Sequence, residues 1–93
     1  MKQFTKSELF NIRNSINITH VIELLLKLPA KKSEGIYRFL CPRCREFQAA
    51  VNPNTNLSRC FRCQKNFNTI ELVMEERKLP FIESVKCLKN MLH

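Results

Sequence analysis

The chain is poor in several things that would point to a chemistry. Its 93 residues hold no tryptophan, one tyrosine, one glycine and only eight acidic residues against 16 lysines and arginines. The longest apolar stretch, "VIELLLKLP", is interrupted by Glu23 and Lys27, and it falls far short of the roughly 20 residues that span a bilayer. A membrane span is excluded on that ground. The start, "MKQFTKSELF", has no apolar signal-peptide core, and the five cysteines are an odd number, which argues against a secreted disulfide scaffold and leads to the expectation of a reducing, cytoplasmic setting. Four of the eight carboxylates, Glu71, Glu75, Glu76 and Glu83, are spread along the C-terminal third. They form no cluster able to hold catalytic metal ions, so the expectation is that the chain is not an enzyme by itself. No interdomain linker, low-complexity tract or internal repeat is present beyond a doubled Cys-x-x-Cys pair.

What is there is concentrated in the middle. Residues 27–65 hold nine basic side chains (Lys27, Lys31, Lys32, Arg38, Arg43, Arg45, Arg59, Arg62 and Lys65) against Glu34 and Glu46, so +7 of the formal +8 lies there. A polyanionic partner follows as a hypothesis.

The pattern is that of a single α+β domain: helices over residues 1–29, a sheet carrying the two cysteine pairs over 30–67 and a helix pair over 68–93. Thr5-Lys6-Ser7-Glu8 is a capping box, with Phe4 and Leu9 placed as a hydrophobic staple. Asn17 caps a second helix whose apolar face is expected to be Val21, Leu24, Leu25 and Leu28, ending at Pro29. Three strands follow, in "GIYRFLC", "QAAVN" and "LSRCF", with a turn at Pro53-Asn54-Thr55-Asn56. Asn68 with Glu71 starts a helix buried through Ile70, Leu72, Val73 and Met74, and Pro80 opens a last one carrying Phe81, Val85, Leu88 and Leu92 at helical spacing.

Cys41-Pro42-Arg43-Cys44 and Cys60-Phe61-Arg62-Cys63 flank the segment 45–59, the separation of a two-knuckle, four-cysteine zinc site. A hairpin bringing the pairs together lets four sulfurs reach one ion at about 2.3 Å. With no open coordination position, such a site is structural. A redox dithiol would need a βαβ unit that this pattern lacks. Thiolates also accept iron, which leaves an iron–sulfur cluster as the other metal reading. Cys87 lies outside the pattern and reads as a small, partly buried hydrophobe.

The basic residues have two readings. Zinc with four thiolates carries a net negative charge that some of Arg43, Arg45, Arg59 and Arg62 would balance. Lys31, Lys32 and Arg38 enter before the first knuckle, however, and Tyr37 and Phe39 alternate with Ile36, Arg38 and Leu40 on the first strand. Cations and rings together on a sheet suit single-stranded nucleic acid.

The order of these parts resembles the zinc-binding domain of bacterial DnaG-type DNA primases. "INITHVIELLLKLPAKKSEGIYRFLCP" is similar to that family's helix, turn and strand leading to a Cys-Pro knuckle; "AVNPNTNLSRCFRCQ" to its Asn-Pro turn and second knuckle; and "NTIELVMEERKLPFIESVKCL" to its closing helix pair. The resemblance implies a zinc ribbon that contacts single-stranded DNA template, with ligand roles on Cys41, Cys44, Cys60 and Cys63 and template contact on Lys31, Lys32, Tyr37, Arg38, Arg59 and Phe61. It also implies a catalytic partner, polymerase or helicase, supplied by another domain or polypeptide. Three departures stand out: Cys44 where the family usually has His, a shorter loop before "AVNP", and Phe67 where glycine is common. Two rivals come from other classes. One is an adaptor docking its basic face on an acidic protein, the other a factor binding duplex DNA.

Overall fold

The computed structural model describes residues 4–92 and the side chains of residues 4–91. Helix α1 (Lys6–Asn14) begins at Thr5, whose hydroxyl accepts the Glu8 N–H while the Glu8 carboxylate accepts the Thr5 N–H, both at 3.0 Å. Phe4 and Leu9, on either side of this box, pack against the core. Helix α2 (Ile18–His20) is a single turn capped by Asn17, and it widens at once into a π-helical segment, Val21–Leu25.

One expectation is corrected. Leu24 is expected on the apolar face, yet it is 64% exposed, whereas Ile18, Ile22 and Leu26 join Val21 and Leu28 in the core. Ile18, Val21, Ile22 and Leu26 stand at i, i+3, i+4 and i+8, one helical face, and Leu24 lies off it. An i→i+5 bond from Leu26 N–H to Val21 C=O then widens the last turn. The helix ends at Lys27, which takes a left-handed conformation (φ 52°) ahead of Pro29.

Five antiparallel strands follow in sequential order: β1 (Ala30–Ser33), β2 (Ile36–Phe39), β3 (Ala49–Asn52), β4 (Leu57–Cys60) and β5 (Lys65–Phe67). The three expected strands are β2, β3 and β4. The two edges were invisible to periodicity because β1 is mostly exposed and basic and β5 is three residues long. Glu34 and Gly35 link β1 to β2 with φ of 52° and 78°, the pair of positive angles that a two-residue type I′ hairpin requires. Phe67, at the position where the resembled family often has glycine, is fully buried and gives the sheet a large side chain against the helices.

Helix α3 (Thr69–Arg77) starts in a second capping box, Asn68 with Glu71, and α4 (Phe81–Lys89) starts at Pro80. Ile70, Leu72, Val73, Val85 and Leu88 are buried, Met74 is half-buried and Phe81 is 40% exposed. The Leu92 side chain lies outside the described residues. Two polar ties close the helical end: the buried Thr69 hydroxyl donates to Ile12 C=O at 3.0 Å, and Arg77 Nη2 donates to Leu25 C=O at 2.7 Å. Asn56, in the β3–β4 turn, joins the two halves. Its Nδ2 donates to Arg13 C=O and Ile16 C=O at 2.7 and 2.8 Å, and its Oδ1 accepts the Ile18 N–H at 2.9 Å.

Candidate metal centre and nucleic-acid interface

Each Cys-x-x-Cys pair folds as a tight knuckle at the end of a strand. Cys60 is the last residue of β4, and Cys41 stands one residue beyond Leu40, whose N–H donates to Pro29 C=O. Backbone N–H groups turn back onto the sulfurs, Arg43 N–H to Cys41 Sγ at 3.4 Å and Cys63 N–H to Cys60 Sγ at 3.3 Å. The residue after each pair is left-handed, Arg45 at φ 60° and Gln64 at φ 54°. A bond from Phe61 N–H to Gln48 C=O at 3.0 Å holds the second knuckle against the segment that leaves the first.

The four sulfurs of Cys41, Cys44, Cys60 and Cys63 lie within 4.8 Å of one another. Cys44 and Cys60 are 3.6 Å apart and Cys41 and Cys63 are 3.9 Å apart. A tetrahedron with metal–sulfur bonds of about 2.3 Å has edges of about 3.8 Å, so the donors stand where zinc would want them. Their acidities tell the same story. Burial pushes the Cys41 thiol up, and desolvation with the neighbouring thiols pushes Cys63 up to about 12. Cys60 moves down although burial opposes it, because the Cys63 N–H and the surrounding thiols donate to it. One site cannot hold four bare thiolates, and a dication at its centre is what would let all four ionise. Cys87 is half-buried against the core and takes no part.

This ordered frame is shared with known proteins. A family model described as the CHC2 zinc finger, the zinc ribbon of DnaG, matches residues 4–93. The chain belongs to the CHC2 zinc-finger family. It is 32% identical over 95 aligned positions to the DNA primase of Listeria monocytogenes and equally to that of Listeria innocua, aligning over its whole length with 15% of each. It thus corresponds to the zinc-finger portion of those primases. The donor set, four cysteines at tetrahedral spacing, fits Zn2+.

The CHC2 sheet then separates the residues expected to touch nucleic acid into two groups. In the register of the strands Lys31 stands opposite Arg38, Arg38 opposite Ala50, Ala50 opposite Arg59 and Arg59 opposite Asn66. Directly opposed residues share a face, so Lys31, Arg38 and Arg59 form one row across the open side of the sheet, with small Ala50 at its centre. Phe61, two residues beyond Arg59 and 56% exposed, joins that side. A cavity of about 360 Å³ lies there, lined among others by Ala50, Asn52, Arg59, Phe61 and Asn66. Lys32 and Tyr37 oppose each other on the reverse side, where the Tyr37 hydroxyl donates to Glu23 Oε1 at 2.8 Å.

Direct ion pairing accounts for little of the basic surface. Among the described residues the ion pairs are Arg45–Glu76, Lys86–Glu83 and Lys89–Glu8, so Arg45 alone of the nine central cations meets a carboxylate. The hydrogen bonds that reach the sulfurs from outside the four cysteine side chains come from backbone N–H groups, not guanidinium. Arg59 Nη1 instead donates to Asn66 Oδ1 at 3.1 Å. Asn66 was not legible as a surface residue of interest, since nothing in the sequence announced the strand that carries it.

Proposed function

We propose that the chain binds single-stranded DNA as the template-recognition module of a primase-like replication system, acting with a catalytic polypeptide or domain in the cytoplasm and not as an enzyme itself. One observation carries the reading: Lys31, Arg38 and Arg59 line up across an open sheet beside exposed Phe61, with no carboxylate partner among the described residues. Cations in a row meet successive phosphates, and a ring beside them offers a base a stacking platform worth about 1–3 kcal/mol. The zinc site supports this role by fixing the ends of β2 and β4, so that the row is held rigid before any strand arrives.

Oligonucleotide binding measured by fluorescence anisotropy across a salt series tests it. Single strands should bind more tightly than duplex of the same sequence, with a log–log salt slope of about −0.7 for each phosphate contacted. Equal affinity for duplex, or salt-independent binding, would overturn the reading. Capture of an acidic protein with no oligonucleotide affinity would favour the adaptor.

A further inference from the structure

A second cavity, of about 540 Å³, opens on the reverse of the same sheet, between the π-helical segment and the β1–β2 hairpin. Its lining includes Thr19, Glu23, Lys31, Lys32, Tyr37 and Val51. Hydroxyl protons in it are already committed. Tyr37 donates to Glu23 Oε1, and Thr19 Oγ1 donates to Asn17 Oδ1 at 2.6 Å. What the cavity offers a visitor is therefore a carboxylate acceptor at one side, lysines at its rim and a half-buried ring between them. Glu23 forms no ion pair with either lysine among the described residues, although all three line one space.

A ligand that satisfies this set brings adjacent N–H donors for the carboxylate, a flat face for the ring and an anion for the lysines. Among the four bases guanine alone presents two neighbouring donors, N1–H and the 2-amino group, on its Watson–Crick edge. Adenine and cytosine present one amino group beside an acceptor, and thymine one N–H between two carbonyls. Unstacked bases in single strands are read on that edge, and the volume falls within the range of small-ligand pockets. Access from the open face is short. Lys31, in the open-face row by register, also lines this cavity, and Lys32 follows it on the edge strand β1. A strand crossing the Lys31–Arg38–Arg59 row needs only to pass over that edge to place its next base in the cavity.

We propose that this cavity reads a single unpaired guanine, with Glu23 as the specificity-determining carboxylate and Tyr37 as the residue that positions it. The proposal rests on the reading of the chain as a binder of single-stranded DNA. Glu23 lies in the π-helical segment, and such segments tend to mark functional positions.

The experiment compares all-thymidine strands with strands carrying one deoxyguanosine, one deoxyinosine or one deoxyadenosine, on the zinc-loaded wild-type chain and on Glu23→Gln and Tyr37→Phe. One guanine should tighten binding roughly tenfold, and inosine, lacking the 2-amino group, should lose most of that gain. Glu23→Gln should abolish the preference while leaving zinc content, all-thymidine affinity and salt slope unchanged, and Tyr37→Phe should reduce the preference in part. All-thymidine binding with no gain from guanine at any position would overturn the proposal and leave the template surface standing. Failure of all-thymidine strands to bind would sink the surface reading instead. Free GMP then decides the cavity: saturable binding that Glu23→Gln removes keeps it as a guanine site for a nucleotide, and no binding removes it.

Discussion

The two halves of this molecule handle charge in opposite ways. In the helical half, Lys86 pairs with Glu83, and Lys89 reaches from α4 to Glu8 on α1 at 3.0 Å while also lying 5.6 Å from the centre of the Phe4 ring. Glu8 is itself held below the usual carboxylate range, first by the Thr5 backbone N–H and then by Lys89. The sheet half carries +7 over residues 27–65 and sends one cation, Arg45, to a carboxylate on α3. One half is electrostatically self-sufficient. The other calls for a cation inside, between its sulfurs, and anions outside, along its open face.

The largest effect that could break this contrast is loss of the metal. Elemental analysis should find one zinc per chain, and chelation should melt the sheet, because zinc binding in small fingers contributes on the order of 10 kcal/mol of folding free energy. Amide exchange should show β2 to β5 losing protection first; a chelated chain that keeps its cooperative sheet would contradict the assignment. A smaller loss is expected at one ligand. Cys44→His should retain zinc and fold, since imidazole takes zinc at nearly the distance of thiolate and the resembled primase domains usually place histidine there. Cys44→Ala should not, as zinc stoichiometry after dialysis would reveal.

Next in size is the charge contrast itself. Arg38→Ala with Arg59→Ala should lower single-strand affinity by tenfold or more at low salt and flatten the salt slope by about 1.4 for two lost contacts, with zinc content intact. Reversing Lys86 and Lys89 to glutamate should change affinity little, costing instead a small amount of stability as the exposed pairs to Glu83 and Glu8 are broken. If the helix variant loses as much affinity as the sheet variant, the comparison has failed. The smallest effect is spectroscopic. Tyr37 is the sole tyrosine, and desolvation followed by its bond to Glu23 raises its phenol above the ordinary value of 10.0. Ultraviolet titration should therefore show less phenolate at pH 10 in the folded chain than in the unfolded one, and Glu23→Gln should bring the transition down part of the way. Because the folded value is the raised one, the associated stability is complete below about pH 10 and is lost as pH climbs toward the folded midpoint.

Much of this division was legible in the residues. Both capping boxes, the paired cysteines that cluster and the concentration of charge are written in local spacing. Less legible was anything set by a partner strand or by a change of helical period. Tyr37 and Arg38 are neighbours on β2 and so face opposite sides of the sheet, but which side is left open shows only once the helices are in place. The π-helical segment that carries Glu23 is announced by no pattern of apolar residues. Asn56 looked like turn chemistry alone, because the carbonyls it holds lie about 40 residues away in sequence.

The chain holds one glycine, yet among the described residues six others, Lys27, Glu34, Arg45, Asn56, Gln64 and Lys78, sit at φ between 52° and 60°. A residue with a Cβ gives up about 1 kcal/mol in that conformation, so the protein keeps a reserve of stability that it has not drawn on. Lys78 closes α3 as a left-handed cap, and Lys78→Gly should raise the melting temperature by a few degrees. Arg45 and Gln64 offer the same gain at the knuckles, but Arg45→Gly would also remove the ion pair to Glu76 that ties the metal site to the helices. At that knuckle, backbone strain is the cost of keeping a cation where the two halves meet.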